Sequence, residues 1–169
     1  MDSQSVETAT MVSKEVGYDS GKKIKGRKRH ILIDTLGLLI VVVITAANVS
    51  EQAGAKQVLF KLDQVRDRRT RRGLAHRMGR LIRIWVDGGY RAQDFTQWVI
   101  DVYRWLWSVV TRQEEQKGFV VLSKRWLVER TFGWFNWCRR LSKDYEILPE
   151  TTEAFIYVAM IRLMLKQLA

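Results

Sequence analysis

The sequence predicts an α/β sandwich in which helices cover a mixed sheet. Three observations carry this. Runs rich in β-branched residues alternate with amphipathic helical runs. Two of those runs, separated by a short turn, form a hairpin signal. The 169 residues are 47% hydrophobic, enough for one packed domain over 1–169.

The elements follow in order. Residues 1–28 read as an irregular basic lead-in, 29–148 as the core and 149–169 as a closing helix. Within the core, residues 29–34 and 38–45 are strands joined at Thr35-Leu36-Gly37. The second is apolar on both faces and is expected as a buried central strand. Ser50 caps a helix whose apolar side is Ala53, Val58, Leu59 and Leu62. Residues 81–86 form a strand ended by Asp87-Gly88-Gly89-Tyr90. Residues 93–102 are helical, 106–111 a strand and 113–118 a loop. From 123 to 143 a helical stripe runs through Leu127, Thr131, Trp134, Cys138 and Leu141. Pro149 introduces the last helix, with Thr151 as its N-cap and Ala154, Val158, Ile161, Leu165 and Leu168 as its stripe. A sheet of this kind also wants a strand before residue 2, so the first strand reads as missing.

Composition narrows the function. A single cysteine and two histidines leave no Cys-based zinc site and no His-rich metal centre. The longest uncharged apolar run, 36–49, is shorter than the roughly 18–20 residues of a spanning helix. The first residues are polar and acidic, unlike a signal peptide. A cytoplasmic protein is expected, with no membrane partner. The net charge of +11 and seven Trp point first to nucleic acid.

That charge is concentrated. Residues 22–29 hold six cations: Lys22, Lys23, Lys25, Arg27, Lys28 and Arg29. Residues 66–83 hold eight arginines and one acid, Asp67. The rest of the chain has 15 basic and 17 acidic residues. Two dense clusters on a near-neutral body suit a polyanion bound through its phosphates, and both are expected in exposed loops or helix ends.

Three carboxylates attract notice among the 18 acids. Asp87 ends a strand and precedes two glycines, where an α/β protein opens a ligand crevice; a plain Asp-Gly turn is the alternative. Glu129 lies about 200° round the helix from Leu127, pointing away from the apolar stripe, with Arg125 one turn earlier; a surface ion pair is the alternative. Asp2 by itself reads as a solvated terminal acid. Together, carboxylates on a sheet edge and a neighbouring helix could hold a pair of Mg²⁺ ions about 3.5–4 Å apart for phosphodiester chemistry.

Several segments match a known pattern: Asp2-Ser-Gln-Ser-Val, Gly21-Lys-Lys-Ile-Lys-Gly-Arg-Lys-Arg-His-Ile-Leu-Ile-Asp34-Thr-Leu-Gly37 and Trp85-Val-Asp87-Gly-Gly-Tyr90. Gly118-Phe-Val-Val-Leu, Arg125-Trp-Leu-Val-Glu129-Arg-Thr-Phe-Gly-Trp134 and Cys138-Arg-Arg-Leu-Ser-Lys-Asp-Tyr-Glu146 follow. In these the chain resembles the catalytic half of bacterial insertion-sequence transposases of the DDE class, in the insertion sequence five group of the insertion-sequence-four-like domain. The resemblance implies an RNase H-like fold and metal-dependent DNA cleavage and strand transfer. It maps the metal-holding catalytic carboxylates to Asp2, Asp87 and Glu129, with Arg125 supporting and Mg²⁺ or Mn²⁺, two ions, as cofactor. It implies DNA contact at 22–29 and, as substitutes for a missing family lysine, Arg139 or Arg140. In the family's Tyr–Arg–Glu–Lys spacing, Leu122 fills the Tyr slot and Asn136 the Lys slot.

The expected partners are double-stranded DNA (terminal inverted repeats and target), the protein's own N-terminal part and a second transposase subunit. The chain starts one residue before the first mapped aspartate. A truncated reading, a decayed copy or the second frame of a frameshifted element is therefore expected. The alternative is a non-catalytic basic DNA-binding remnant. A basic RNA-binding protein is a third reading, supported by charge alone.

Overall fold

The computed structural model describes residues 1–71, 81–110 and 125–168, with side chains described for 1–65, 81–110 and 125–166. The centre of the fold is β3 (Ile24–Ile33), a ten-residue strand. Antiparallel β1 (Asp2–Glu7) pairs along one edge, with Asp2 opposite Ile31 and Glu7 opposite Gly26. Along the other edge run β4 (Leu39–Ala46) and, at its far end, the short β2 (Gly17–Asp19), both antiparallel to β3.

The expected irregular lead-in over 1–28 is thus corrected. Residues 2–7 and 17–19 are strands, and β3 begins five residues earlier than its β-branched run. The polar residues of β1 conceal it from pattern reading, because Ser3 and Ser5 are buried without being apolar. The hairpin itself is as expected. Gly37 turns it in the left-handed region (φ 86°), which glycine adopts without strain.

β4 is buried but not central. Among the described residues its only strand partner is β3. Its open edge is closed by side chains instead. The Val42 N–H donates to Tyr157 Oη (3.3 Å) and the Ile44 N–H to Glu153 Oε1 (3.1 Å). Lys61 Nζ donates to the Val42 carbonyl (3.0 Å) and pairs with Glu153. An edge masked this way offers no template for another strand.

β5 (Arg83–Val86) and β6 (Leu106–Val109) form a separate parallel pair, with α2 (Gln93–Tyr103) between them in sequence. The Met1 amino group donates to the Trp85 carbonyl at 2.6 Å, so the head of β1 abuts β5.

Helices cover both faces. On one, α1 (Glu51–Arg71) lays Ala55, Val58, Leu59 and Leu62 against Leu32, Val41 and Val43; Ile84, Val86, Phe95, Val99 and Trp107 extend this core. Ser50 Oγ accepts the Ala53 N–H (3.2 Å), so the expected cap holds, but Ala53 itself is exposed and Ala55 takes its place. Gly54 is required, because a Cβ there would fall 2.0 Å from the His30 ring.

On the other face, α3 (Arg125–Asn136) and α4 (Pro149–Leu168) cover Ile31, Leu39, Val42 and Ile44. Two expected stripes shift here. α3 buries Val128, Thr131, Phe132 and Phe135 and stops at Asn136; a 3₁₀ turn over Arg139–Leu141 follows. α4 starts at Pro149 in the first helical position, and the Leu148 carbonyl accepts the Thr151 N–H. It buries Thr152, Ile156, Ala159 and Met160, while Val158, Ile161 and Leu165 are 62%, 54% and 61% exposed. The apolar residues of α4 run all round it, so periodicity alone picked the wrong face.

The result is a mixed α/β architecture, compatible with an RNase H-like fold. No described helix is long and apolar enough to cross a membrane. The loop expected at 113–118 lies outside the described residues.

Candidate active site

Two of the three singled-out carboxylates meet. Asp87 follows β5, and its backbone there is extended (φ −83°, ψ −178°). Its Oδ1 accepts the Gly89 N–H at 3.0 Å, starting a 3₁₀ turn over Gly88–Tyr90. This fixes the carboxylate at the strand's C-terminal end. Gly88 faces open space, since a Cβ there would meet nothing within 4 Å.

Asp2 heads β1. Its Oδ1 accepts the Ser3 N–H at 2.7 Å. Burial pushes its pKa up to about 6, and the Asp87 charge adds to the rise. Two carboxylates that repel in a poorly hydrated place are the preparation for a cation or a shared proton.

Both line a cavity of about 440 Å³ between the ends of β1, β3 and β5 and the start of α3. Arg125, Arg83 and Asp34 share it with an apolar wall that includes Trp85, Trp105, Leu127 and Val128. Asp34 is already committed to the hairpin turn, its Oδ1 accepting the Leu36 and Leu38 N–H groups at 2.8 and 2.9 Å.

Glu129 is not brought in. It is tied to Arg125 Nε at 3.2 Å across one helical turn, with both side chains largely exposed. Arg125 lines the cavity, so Glu129 stands one turn beyond its rim. Among the described residues, no three His, Cys, Asp or Glu side chains are grouped closely enough to hold a metal ion.

The basic run at 22–29 divides. Lys22, Lys23 and Lys25 are exposed. Arg27, Lys28 and Arg29 are buried, so their expected role as DNA contacts is corrected. Strand β3 is covered on both faces, and alternate residues must point into one layer or the other. Arg27 is bonded on all three nitrogens, to Asp144, Thr152 and the carbonyls of Lys14, Glu146 and Ile147. Lys28 Nζ meets Glu51 (3.2 Å), Asp19 (3.7 Å) and the Val49 carbonyl (2.9 Å). Arg29 is fully buried, and burial lowers its pKa to about 10.

Arg139 is exposed, while Arg140 pairs with Glu146 at 2.8 Å and stacks on Phe155 at 4.4 Å. Of the arginine-rich stretch, 66–71 continue the backbone of α1; 72–80 lie outside the described residues, as does Leu122.

Two neighbours of the carboxylate pair escaped sequence reading. A Cβ on Gly89 would sit 3.3 Å from Asp87 Oδ1 and 3.5 Å from Glu51 Cγ, so Glu51 flanks the Asp87 turn. Its place at a helix start had explained it fully. Tyr90, which ends the turn that Asp87 begins, is fully buried; the only signal was its position in the Asp-Gly-Gly-Tyr segment.

Asp2 and Asp87 fit a divalent cation. Both offer hard oxygen ligands, they share one cavity, and the Asp87 charge adds to the rise of the Asp2 pKa.

The transposase DDE domain family matches residues 1–164. A curated protein from Burkholderia cepacia, described as a transposase for insertion sequence element IS402, is 29% identical over 131 residues, which cover 78% of this chain and 59% of that protein. The chain thus spans less than two thirds of the length of the relative it matches. No solved structure matches it significantly. With its matched region running from β1 into α4, residues 1–164, the chain belongs to the transposase DDE domain family.

Proposed function

We propose that the chain is the catalytic part of an insertion-sequence transposase, with an RNase H-like fold, that cleaves and joins DNA strands with the help of Mg²⁺ or Mn²⁺. The observation that carries this is the meeting of Asp2 and Asp87 in one cavity, with the Asp2 pKa raised to about 6. Asp2 and Asp87 would hold such an ion, and Glu129, outside the cavity in this structure, is the third carboxylate that the family resemblance assigns. When bound, such ions activate the attacking water or 3′-hydroxyl and stabilise the leaving oxygen.

The chain's own residues prepare the site. The Gly89 N–H orients Asp87, and the Ser3 N–H orients Asp2. Arg125 sets a cation on the cavity wall, where a phosphate would enter, and holds Glu129 one turn away. Exposed Lys22, Lys23, Lys25 and Arg139, with Arg140 next to Arg139, contact the DNA backbone. The open Gly88 lets that backbone approach closely.

Terminal repeats and target DNA are the substrates. A second subunit and a segment corresponding to the uncovered part of the relative complete the machinery, in the cytoplasm at the nucleoid. The test is nicking of terminal-repeat DNA in Mg²⁺ or Mn²⁺ by the chain, alone and supplemented with the segment of the relative that it does not cover. Asp87→Ala should abolish it, and equal nicking by the variant would overturn the mechanism.

One observation favours a second reading. Glu129 stands outside the cavity, as in a basic DNA-binding remnant without catalysis. That remnant would bind all DNA alike, weaken steeply with salt and cleave none.

A further inference from the structure

Helix α4 is apolar on two faces, and the fold uses one of them. Thr152, Ile156, Ala159 and Met160 are buried against the sheet. Ala154, Val158, Ile161 and Leu165 point the other way and are exposed. At 3.6 residues per turn these four fall within about 60° of arc, roughly opposite the buried set. Their spacing of four, three and four residues is that of a coiled-coil seam. A lone exposed Leu needs no explanation, but an ordered apolar row does. The chemistry proposed above makes no use of it.

The charges of α4 say what covers the row. Glu153 is taken up by Lys61 and the Ile44 N–H. The charges left exposed are Glu150 in the first turn and Arg162 and Lys166 towards the end. A second α4 laid antiparallel would bring each Glu150 near the Arg162 and Lys166 end of the other copy and oppose the two helix dipoles. A parallel copy would set like charges side by side. Val158 and Ile161 lie in the middle of the row, so a two-fold axis between them makes the face its own complement. A segment upstream of Met1 would instead join on the opposite side of the sheet, because Met1 heads β1 while α4 masks the free edge of β4.

We propose that the outer face of α4 docks a second copy of this chain, antiparallel, through Ala154, Val158, Ile161 and Leu165. This rests on the proposed function only for the purpose of a second subunit. The contact is read by mass, and nicking tests the chemistry separately.

The test is sedimentation equilibrium of the full chain at about 0.15 M salt, where repulsion between two chains of net charge +11 is largely screened. As the concentration rises through the micromolar range, the mass should climb from 19.8 kDa toward twice that value. Val158→Lys combined with Ile161→Lys should weaken the dimer by at least about tenfold, while the melting temperature of the dilute protein stays that of the parent. Glu150→Lys should also weaken it, and adding Arg162→Glu and Lys166→Glu should restore it. A parent that stays monomeric overturns the proposal, whether the face is bare or kept for another partner. So does a dimer that survives the paired lysines, or one that the charge exchange fails to restore. A lysine variant that unfolds overturns it too, since the face would then belong to the core of the single chain.

Discussion

The two ends of the sheet treat buried charge in opposite ways. At the Arg27 end, a guanidinium and the Asp144 carboxylate are both buried, and nearly every polar atom is bonded. Arg27 meets five residues; Asp144 also accepts from Thr152 at 2.8 Å and from the Glu146 N–H at 3.1 Å. At the Asp2 end, two like charges share a cavity. Between the two ends on β3 lies Arg29, whose three guanidinium nitrogens have no hydrogen-bond partner among the described residues, nor does Gln4 Oε1 directly across on β1. A protein that only needed to fold would satisfy both ends. The contrast fits a structural role for one end and the proposed cation site at the other.

The largest effect should come from breaking the satisfied end. Arg27→Met leaves Asp144 buried without its cation. Removing one partner of a buried pair typically costs about 3–5 kcal/mol. Urea denaturation should show a loss of that size. A loss below about 1 kcal/mol would mean that backbone and Thr152 donors alone hold Asp144, and the contrast between the ends would collapse.

That Arg27 anchors α4 to the sheet could not be read from its neighbours. A run of six cations in eight residues looks like a surface. Its burial depends on acceptors from residues 14, 144, 146 and 147, brought together only by folding. Likewise β1 was hidden because Asp2, Ser3, Gln4 and Ser5 carry no apolar alternation, yet β3 pairs with them. What was legible was local. The hairpin at Gly37, the cap at Ser50 and the strand-ending Asp87 each follow from a few adjacent residues. The meeting of Asp2 with Asp87, across 85 residues of chain, came from resemblance and not from periodicity.

At the other end, relieving the repulsion should stabilise. The folded Asp2 pKa of about 6 lies above the ordinary 3.8, so the fold prefers the protonated form. That contribution is fully present below about pH 4 and is lost as the pH rises through 6. Asp2→Asn mimics the protonated state permanently. It should therefore be more stable than the parent at pH 7, by up to about 3 kcal/mol, with the difference vanishing near pH 4. Melting curves at pH 4, 6 and 7 would show the gap opening with pH. Parallel curves would mean that Asp2 is not held in a charge-hostile place. The same variant should lose Mn²⁺ binding, which separates the stabilising effect from the functional one.

The smallest effect on stability belongs to Glu129, and it sharpens the comparison most. Its pair with Arg125 is 60% and 47% exposed, spaced i,i+4 with the cation first, which is the weaker orientation. Such a pair contributes a few tenths of a kcal/mol at most. Glu129→Gln should thus leave the melting temperature within about 1 °C of the parent. If Glu129 is the third carboxylate of the site, the same change should nevertheless abolish Mg²⁺-dependent nicking, because an amide cannot supply the anionic oxygen that the ion requires. A residue without weight in the fold and with full weight in the reaction would place α3 on the ligand side of the contrast. Unchanged nicking would leave Glu129 as the exposed partner of Arg125 and confine the site to Asp2 and Asp87.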